Sequence, residues 1–431
     1  MHTEQYLALL QAYEPAAVRF LPNIVWASAD GYRVTDVEGV TRIDFCAGAM
    51  IANAGHNNKD IIDAIKAQLE TGIYTTYLFP NKPRCRLLKT LSALIPPDYQ
   101  IALFNTGTEA VETAVKIARI YGHKVLKNKS LVVTFNNAYH GKLIGSTAIS
   151  GTKAAKYWLP NDLLQALSIQ VPFPSCPYEP RPLHFSDFVS AIHEHQVSEQ
   201  DIAAVLIEPY QGGSCAFLPF EYAQSLRRWC EEHRILLIAD EVQSGMGRTG
   251  KMWACEHLGI VPDIIVGGKG IGASLPLSAV IGRKDLFDLC EVGNFNSTHS
   301  GNPVCCAAAD ANIQYLLRHR LTENAEKMGV LLGSLLSQIQ HQYPWFISYV
   351  LGKGLVYAIH VNTKYKPFVR PLVDICIKNG LLLISPGGVA GTAIKLIPPL
   401  IIDAKGIKEA CAIIEKSISE IILEQRLSEK N

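Results

Sequence analysis

Two short stretches put ionisable side chains where apolar strands run out. In ILLIADEVQSGMGRTG an aliphatic run ends at Asp240-Glu241 and passes into a glycine-rich loop. A carboxylate at the end of a buried strand is costly unless something stabilises its charge. A protonated pyridine nitrogen would do so, and so would an arginine or a metal ion. In PDIIVGGKGIGASLPLSAVIG a second aliphatic run ends at Gly267-Gly268, and Lys269 follows at once. A lysine in such a turn can reach into a crevice at the strand ends. Its amine is nucleophilic at neutral pH only if its pKa falls from the usual ~10.4, which burial or nearby positive charge achieves. The alternatives for Lys269 are a phosphate-binding or a surface lysine. The upstream spacing does not match a nucleoside-triphosphate loop.

Three further segments carry polar groups in suggestive places. Asn105-Thr106-Gly107-Thr108-Glu109 follows the apolar run QIALF and opens the helical stretch TEAVETAVKIARIYG. Thr106 and Glu109 form a capping-box pattern, and Gly122 is placed to end the helix. Gly107 permits close backbone approach, and the free N–H groups of the helix start favour an anion such as phosphate. A capped helix without a ligand fits the same pattern. In NNAYHGK, Tyr139 is placed either to stack on an aromatic ligand or to sit as a buried loop tyrosine, with His140 beside it. In NSTHSGNPVCCAAA, Thr298 offers a hydroxyl to phosphate, and Gly301-Asn302-Pro303 turns into a helix.

The elements that would position these groups alternate between about residues 100 and 285. LVVTF, AAVLIE, ILLIAD and IIVGG are interleaved with helical stretches, the pattern of a parallel sheet covered by helices on both faces. Such sheets bind ligands beyond the C-terminal ends of their strands. Residues 304–340 read as long helical material broken around RHRLTEN. GLVYAIHV, a helix near 367–379, LLLIS, AIKLIPPL and a final helix near 403–425 follow, an α+β rhythm. VWASADGYRVTDVEGVTRIDF reads as a β-meander with DG and EG turns. The expected organisation is an α/β large domain over 46–315, a smaller C-terminal domain over 316–431, and an N-terminal segment 1–45 packing with the latter.

Composition fits an ordinary globular chain of 431 residues, with 48% hydrophobic and 18% charged residues. The 40 basic and 39 acidic residues give a formal net charge of +1, without charged blocks. No electrostatic case for nucleic acid or an anionic membrane follows. The 11 cysteines sit mostly in apolar runs and lack zinc-like spacing, so they read as reduced small hydrophobes, with no metal expected. His193 and His195 read as surface residues, Cys215 lacks a nucleophile pattern, and Arg248 reads as structural. The N-terminal stretch lacks a secretory pattern, and no apolar run reaches the roughly 18 residues of a membrane helix. A soluble, cytoplasmic protein is the expectation.

Taken together and in this order, the motifs resemble the class III (subgroup II) aminotransferases, pyridoxal-phosphate enzymes of fold type I. The resemblance runs from about Trp26 to Leu423. It rests on TGTEAVETAVKIAR, AYHGK, IEPYQG, ADEVQSGMGRTG, DIIVGGKGIGASLPLSAV, STHSGNP and IKLIPPLII. It implies a mostly parallel central sheet flanked by helices, a smaller α+β domain, and pyridoxal 5'-phosphate as cofactor. It implies ping-pong transfer of an amino group from an amine donor to a carbonyl acceptor through a Schiff base at Lys269, which also shuttles the proton. Asp240 then pairs with the pyridine nitrogen, and Gln243 reaches the phenolic oxygen. Val242 and Tyr139 flank the ring. Gly107 and Thr108 form the phosphate cup, Glu208 is an acid near the ring, and Thr106 and His140 also count among the cofactor-binding residues. Thr298 comes from the neighbouring subunit of a homodimer. The same cofactor motifs also serve racemases, epimerases and lyases, so the substrate side must discriminate.

There the chain departs from its resemblance. Many members acting on ω-amino acids carry an Arg after YHG, where this chain has Lys142. Many carry QGEGG, whose Glu pairs with a later Arg. Here the residues are Gln211-Gly212-Gly213-Ser214, and Lys395 stands at the matching Arg. Lysine is a compact point charge without arginine's bidentate fork. In one reading Lys395 accepts the carboxylate of an α-amino acid donor and Lys142 works distally. In the other both lysines are solvated and the substrate is an amine without a carboxylate. The first is favoured, with an unusual acceptor.

Overall fold

A computed structural model of the chain describes residues 1–18, 23–76, 78–127, 129–175, 182–387 and 391–424. The N-terminal meander comprises β1 (Trp26–Asp30), β2 (Arg33–Asp36) and β3 (Thr41–Asp44), paired antiparallel in sequence order.

The central sheet has seven strands: β4 (Tyr99–Phe104), β5 (Leu131–Phe135), β6 (Ser168–Val171), β7 (Ile202–Ile207), β8 (Leu236–Asp240), β9 (Ile264–Gly267) and β10 (Ser278–Arg283). Their spatial order is β4-β10-β9-β8-β7-β5-β6. Only β10 runs against its neighbours. β5, β7 and β8 are buried at every position, which explains why they read as continuous aliphatic runs: both faces are covered.

Helix α1 (Gly107–Lys124) follows β4. Its buried stripe of Ala110, Val111, Ala114, Val115, Ile117 and Ala118 packs on Val132, Ala204, Leu206, Ile238 and Val266 of the sheet. Gly122 does not end this helix, contrary to expectation; the helix runs on to Lys124. A Cβ at Gly122 would collide with the Lys129 carbonyl, so this glycine serves close packing of the returning chain.

Two helices, α2 (Pro303–Arg318) and α3 (Leu321–Gln342), meet at a turn where Arg320 adopts φ +52, inside the predicted RHRLTEN break. Beyond them β11 (Ile347–Lys353), β12 (Val356–Val361), β14 (Ile384–Gly387) and β15 (Ala393–Leu396) form an antiparallel sheet of order β11-β12-β15-β14. The short β13 (Leu381–Leu382) pairs parallel with β3, tying the N-terminal meander to this part of the chain. Arg33 of β2 adds an ion pair of 2.7 Å to Glu409 on the last helix, α4 (Ala404–Glu424). No helix among the described residues is long and apolar enough to cross a membrane.

Candidate active site

The strand directions bring the polar segments to one edge. β4, β5, β7, β8 and β9 share a direction, and each is followed at its C-terminal end by a candidate residue. Thr106, Gly107 and Thr108 follow β4; Tyr139 and His140 follow β5; Glu208 follows β7. Asp240 ends β8, with Val242 and Gln243 just beyond, and Lys269 follows β9. These ten residues, together with the exposed Lys142, line one cavity of about 280 Å³.

At one end lies the start of α1. Thr106 caps it, its Oγ1 accepting from the Glu109 N–H at 3.3 Å while Glu109 Oε2 accepts from the Thr106 N–H at 2.7 Å. Gly107 faces Val242: an added Cβ would stand 2.8 Å from Val242 Cγ1. Thr108 Oγ1 lies 2.6 Å from Ser146 Oγ, a partner the sequence reading did not identify. Gly141, at φ +137, lets the loop after β5 come against Thr108 and Ser146.

At the other end Asp240 is buried, and among the described residues its ion-pair partner is His140. Its Oδ2 is 2.8 Å from His140 Nδ1, and its Oδ1 accepts the Val242 N–H at 3.1 Å. No His, Cys, Asp and Glu cluster fit for a metal occurs among the described residues. His140 Nε2 is buried without a partner. Glu208 is buried and accepts the N–H groups of Tyr139 at 3.1 Å and Gly212 at 3.0 Å. Burial pushes its carboxyl up to about 7; the His140 ring opposes this and the Asp240 charge adds to it.

Lys269 sits at φ +42 in the turn after β9. Burial lowers the pKa of its amine; the Asp240 charge opposes the shift and Lys395 adds to it. A left-handed backbone at a lysine is a strained state, of the kind found where structure around a functional group holds it in place. Val242 stands against Gly107 and Gly268, and Tyr139 is half-exposed at the cavity.

The remaining candidates separate. Thr298 is exposed and does not line this chain's own cavity. Lys142 is exposed at the cavity mouth. Lys395 is not solvated: it is fully buried in β15, and its Nζ donates to Gly212 O and Gln243 Oε1, both at 2.6 Å. Nothing in the spacing of AIKL marks the bond from Lys395 to Gln243. Arg248 is buried and structural, donating to Leu355 O at 2.9 Å and Asn53 Oδ1 at 2.7 Å. Cys215 is buried, and His193 and His195 are exposed.

The site suits a flat anionic aldehyde with a basic ring nitrogen. An anion cradle at a helix N-terminus, a buried carboxylate and an amine of lowered pKa face one space, and glycine at 107 keeps a β-carbon out of the contact with Val242.

The family model described as aminotransferase class-III matches residues 13–418. The acetylornithine/succinyldiaminopimelate aminotransferase of Yersinia pestis is 31% identical over 418 residues, covering 96% of this chain and 96% of that protein. The 4-aminobutyrate aminotransferase GabT of Escherichia coli is 33% identical over 427 residues, covering 94% and 96%. The crystal structure of the ornithine aminotransferase from Toxoplasma gondii superposes with a TM-score of 0.87 at 27% identity, covering 98% of this chain and 96% of that one.

Proposed function

The chain belongs to the class III aminotransferase family and is a pyridoxal-phosphate-dependent transaminase, and we propose that Lys269 is the amine that holds the cofactor and moves the substrate's proton. The observation that carries this reading is the convergence of Lys269, Asp240 and the start of α1 on one cavity. When bound, the cofactor supplies an electron sink that lets a C–H bond beside the substrate amine break.

The chain's own groups do the rest. The N–H groups of Gly107 and Thr108, at the positive end of an 18-residue helix, would receive the phosphate. The Asp240 carboxylate, fixed by His140 and the Val242 N–H, would face the ring nitrogen and keep it protonated. Val242 and Tyr139 would take the two faces of the ring. Lys269 Nζ, its pKa lowered by burial, would accept the proton from the substrate carbon as a general base. Donor and acceptor use the same cavity in turn.

Thr298 belongs, in this reading, to the cavity of a neighbouring subunit in a homodimer. Its loop lies beside an exposed apolar segment: Asn302 Nδ2 donates to Tyr74 O at 2.8 Å, and nearby Leu78 and Phe79 are 75% and 72% exposed. Such a patch is a liability in a monomer and a resource in a dimer.

For the substrate, the names of the similar proteins point to primary amines that also carry a carboxylate. Lys142 at the cavity mouth is the cation placed to meet that carboxylate. The test is the visible absorption of the holoenzyme as glutamate, alanine, 4-aminobutyrate and carboxylate-free amines are added one at a time. Bleaching by carboxylate-bearing donors, reversed by a carbonyl acceptor, is expected. Bleaching by carboxylate-free amines alone would overturn the substrate assignment, and a visible band that no donor changes would overturn the proposed transfer at Lys269.

A further inference from the structure

Lys395 is a buried cation in an unusual setting. Its side chain is wholly enclosed in β15, and among the described residues it makes no ion pair. An ammonium has three N–H donors. Here three partners are in place: Gly212 O at 2.6 Å, Gln243 Oε1 at 2.6 Å and Met50 Sδ at 3.8 Å. The Tyr210 ring lies beneath it, 5.8 Å to the centroid. A cation so saturated has no donor left for a substrate carboxylate.

We propose that Lys395 is a positioning residue: it fixes the Gln243 amide so that the N–H2 end, and not the oxygen, is presented to the cofactor cavity.

An ammonium only donates, so the Gln243 atom that meets it must be the oxygen. The amide nitrogen is then the end left over, and Gln243 lines the cavity. Gly212 completes the unit. Its carbonyl takes a second Lys395 donor, and a Cβ there would stand 2.8 Å from Gln243 Nε2. Burial lowers the pKa of Lys395, so the arrangement bears a desolvation cost that a merely space-filling residue would avoid. A Gln243 so fixed would offer a donor to an acceptor group of the bound cofactor, in keeping with the phenolic-oxygen contact that the resemblance implies. This inference rests on the cofactor reading given under Proposed function.

The experiment compares Lys395→Met, Gln243→Leu, the double variant and Gln243→Glu. It measures the dissociation constant for pyridoxal phosphate, the pH midpoint of the visible band, and KM for a carboxylate-bearing and a carboxylate-free amine. Lys395→Met and Gln243→Leu are each expected to weaken cofactor binding about tenfold and to shift the pH midpoint. The double variant should be no worse than either single one, because both remove the same interaction. The ratio of the two KM values should stay as in the wild type. A KM for the carboxylate-bearing amine raised about 100-fold in Lys395→Met, with cofactor affinity and pH midpoint unchanged, would overturn the proposal.

Gln243→Glu serves if Lys395→Met does not fold. It keeps an oxygen towards Lys395 and removes the N–H donor, so affinity should fall at least as far as in Gln243→Leu. Wild-type affinity there would overturn the assignment. A wild-type protein that binds no pyridoxal phosphate would instead defeat the cofactor reading itself.

Discussion

His140 Nδ1 and Asp240 Oδ2 lie 2.8 Å apart, joining the ends of β5 and β8. The ring holds a carboxylate whose other oxygen accepts from the Val242 N–H, so each oxygen of Asp240 has one partner, and acceptor capacity to spare, before any ligand arrives. Preorganised charge of this kind acts without reorganisation during reaction. Asp240→Asn should lower kcat/KM on the order of 10²–10³-fold, the range for loss of one preorganised electrostatic group. Steady-state kinetics at saturating cofactor check this, and unaltered turnover would remove Asp240 from the mechanism.

Two glycines separate binding from stability. Gly107→Ala places a methyl 2.8 Å from Val242 Cγ1 at the anion cradle. It should weaken cofactor retention while shifting the unfolding midpoint little. Gly122→Ala drives a methyl into the Lys129 carbonyl, remote from the cavity. It should destabilise the fold by about 1–3 kcal/mol, the usual range for overpacking. Urea unfolding and cofactor titration of both variants give the comparison, and identical behaviour of the two would contradict it.

Glu208 makes stability depend on pH. Its carboxyl is raised by burial from an ordinary 4.5 to about 7 in the cofactor-free fold. Between those values the folded chain keeps a proton that the unfolded chain has released. The stabilisation is therefore full below the ordinary value and is lost as pH rises through about 7. From about pH 5 to about pH 7.5 the wild type should lose on the order of 2 kcal/mol more than Glu208→Gln. The difference in slope is the readout, because Gln also disturbs the bonds to Tyr139 and Gly212. Parallel stability curves would contradict the assignment.

The proposed homodimer with a shared site makes a mixing prediction. Thr298→Ala and Lys269→Ala should each be impaired alone. In a mixed dimer, the Thr298→Ala chain keeps its own Lys269 and borrows an intact Thr298 from its partner. Random mixing should restore about a quarter of wild-type activity, since about half the dimers are mixed and each has one sound site. Activity no higher than the separate variants would defeat the shared site.

Much of the site is legible in the sequence because it is built from strand ends. An aliphatic run followed at once by Asp240 or Lys269 places each residue at the sheet edge, wherever the strand stands in the order. The Thr106–Glu109 capping box is legible for the same reason, since its contacts are local. What escapes is contact between distant segments. Asp240 meets His140, and Thr108 meets Ser146, through loops whose paths no period encodes. Lys142 and Lys395 are alike as residue types, yet one is exposed and the other enclosed. The two oxygen partners of Lys395 come from the loops after β7 and β8, while it stands on a different sheet. Gly122 misleads because a glycine near a helix end signals both termination and close packing.

The central claim is tested most directly by reducing the holoenzyme with borohydride and mapping the modified peptide by mass spectrometry. A pyridoxyl label on Lys269 is predicted, abolished in Lys269→Ala while the fold is retained. A label on Lys142, on Lys395 or on no lysine would contradict the account.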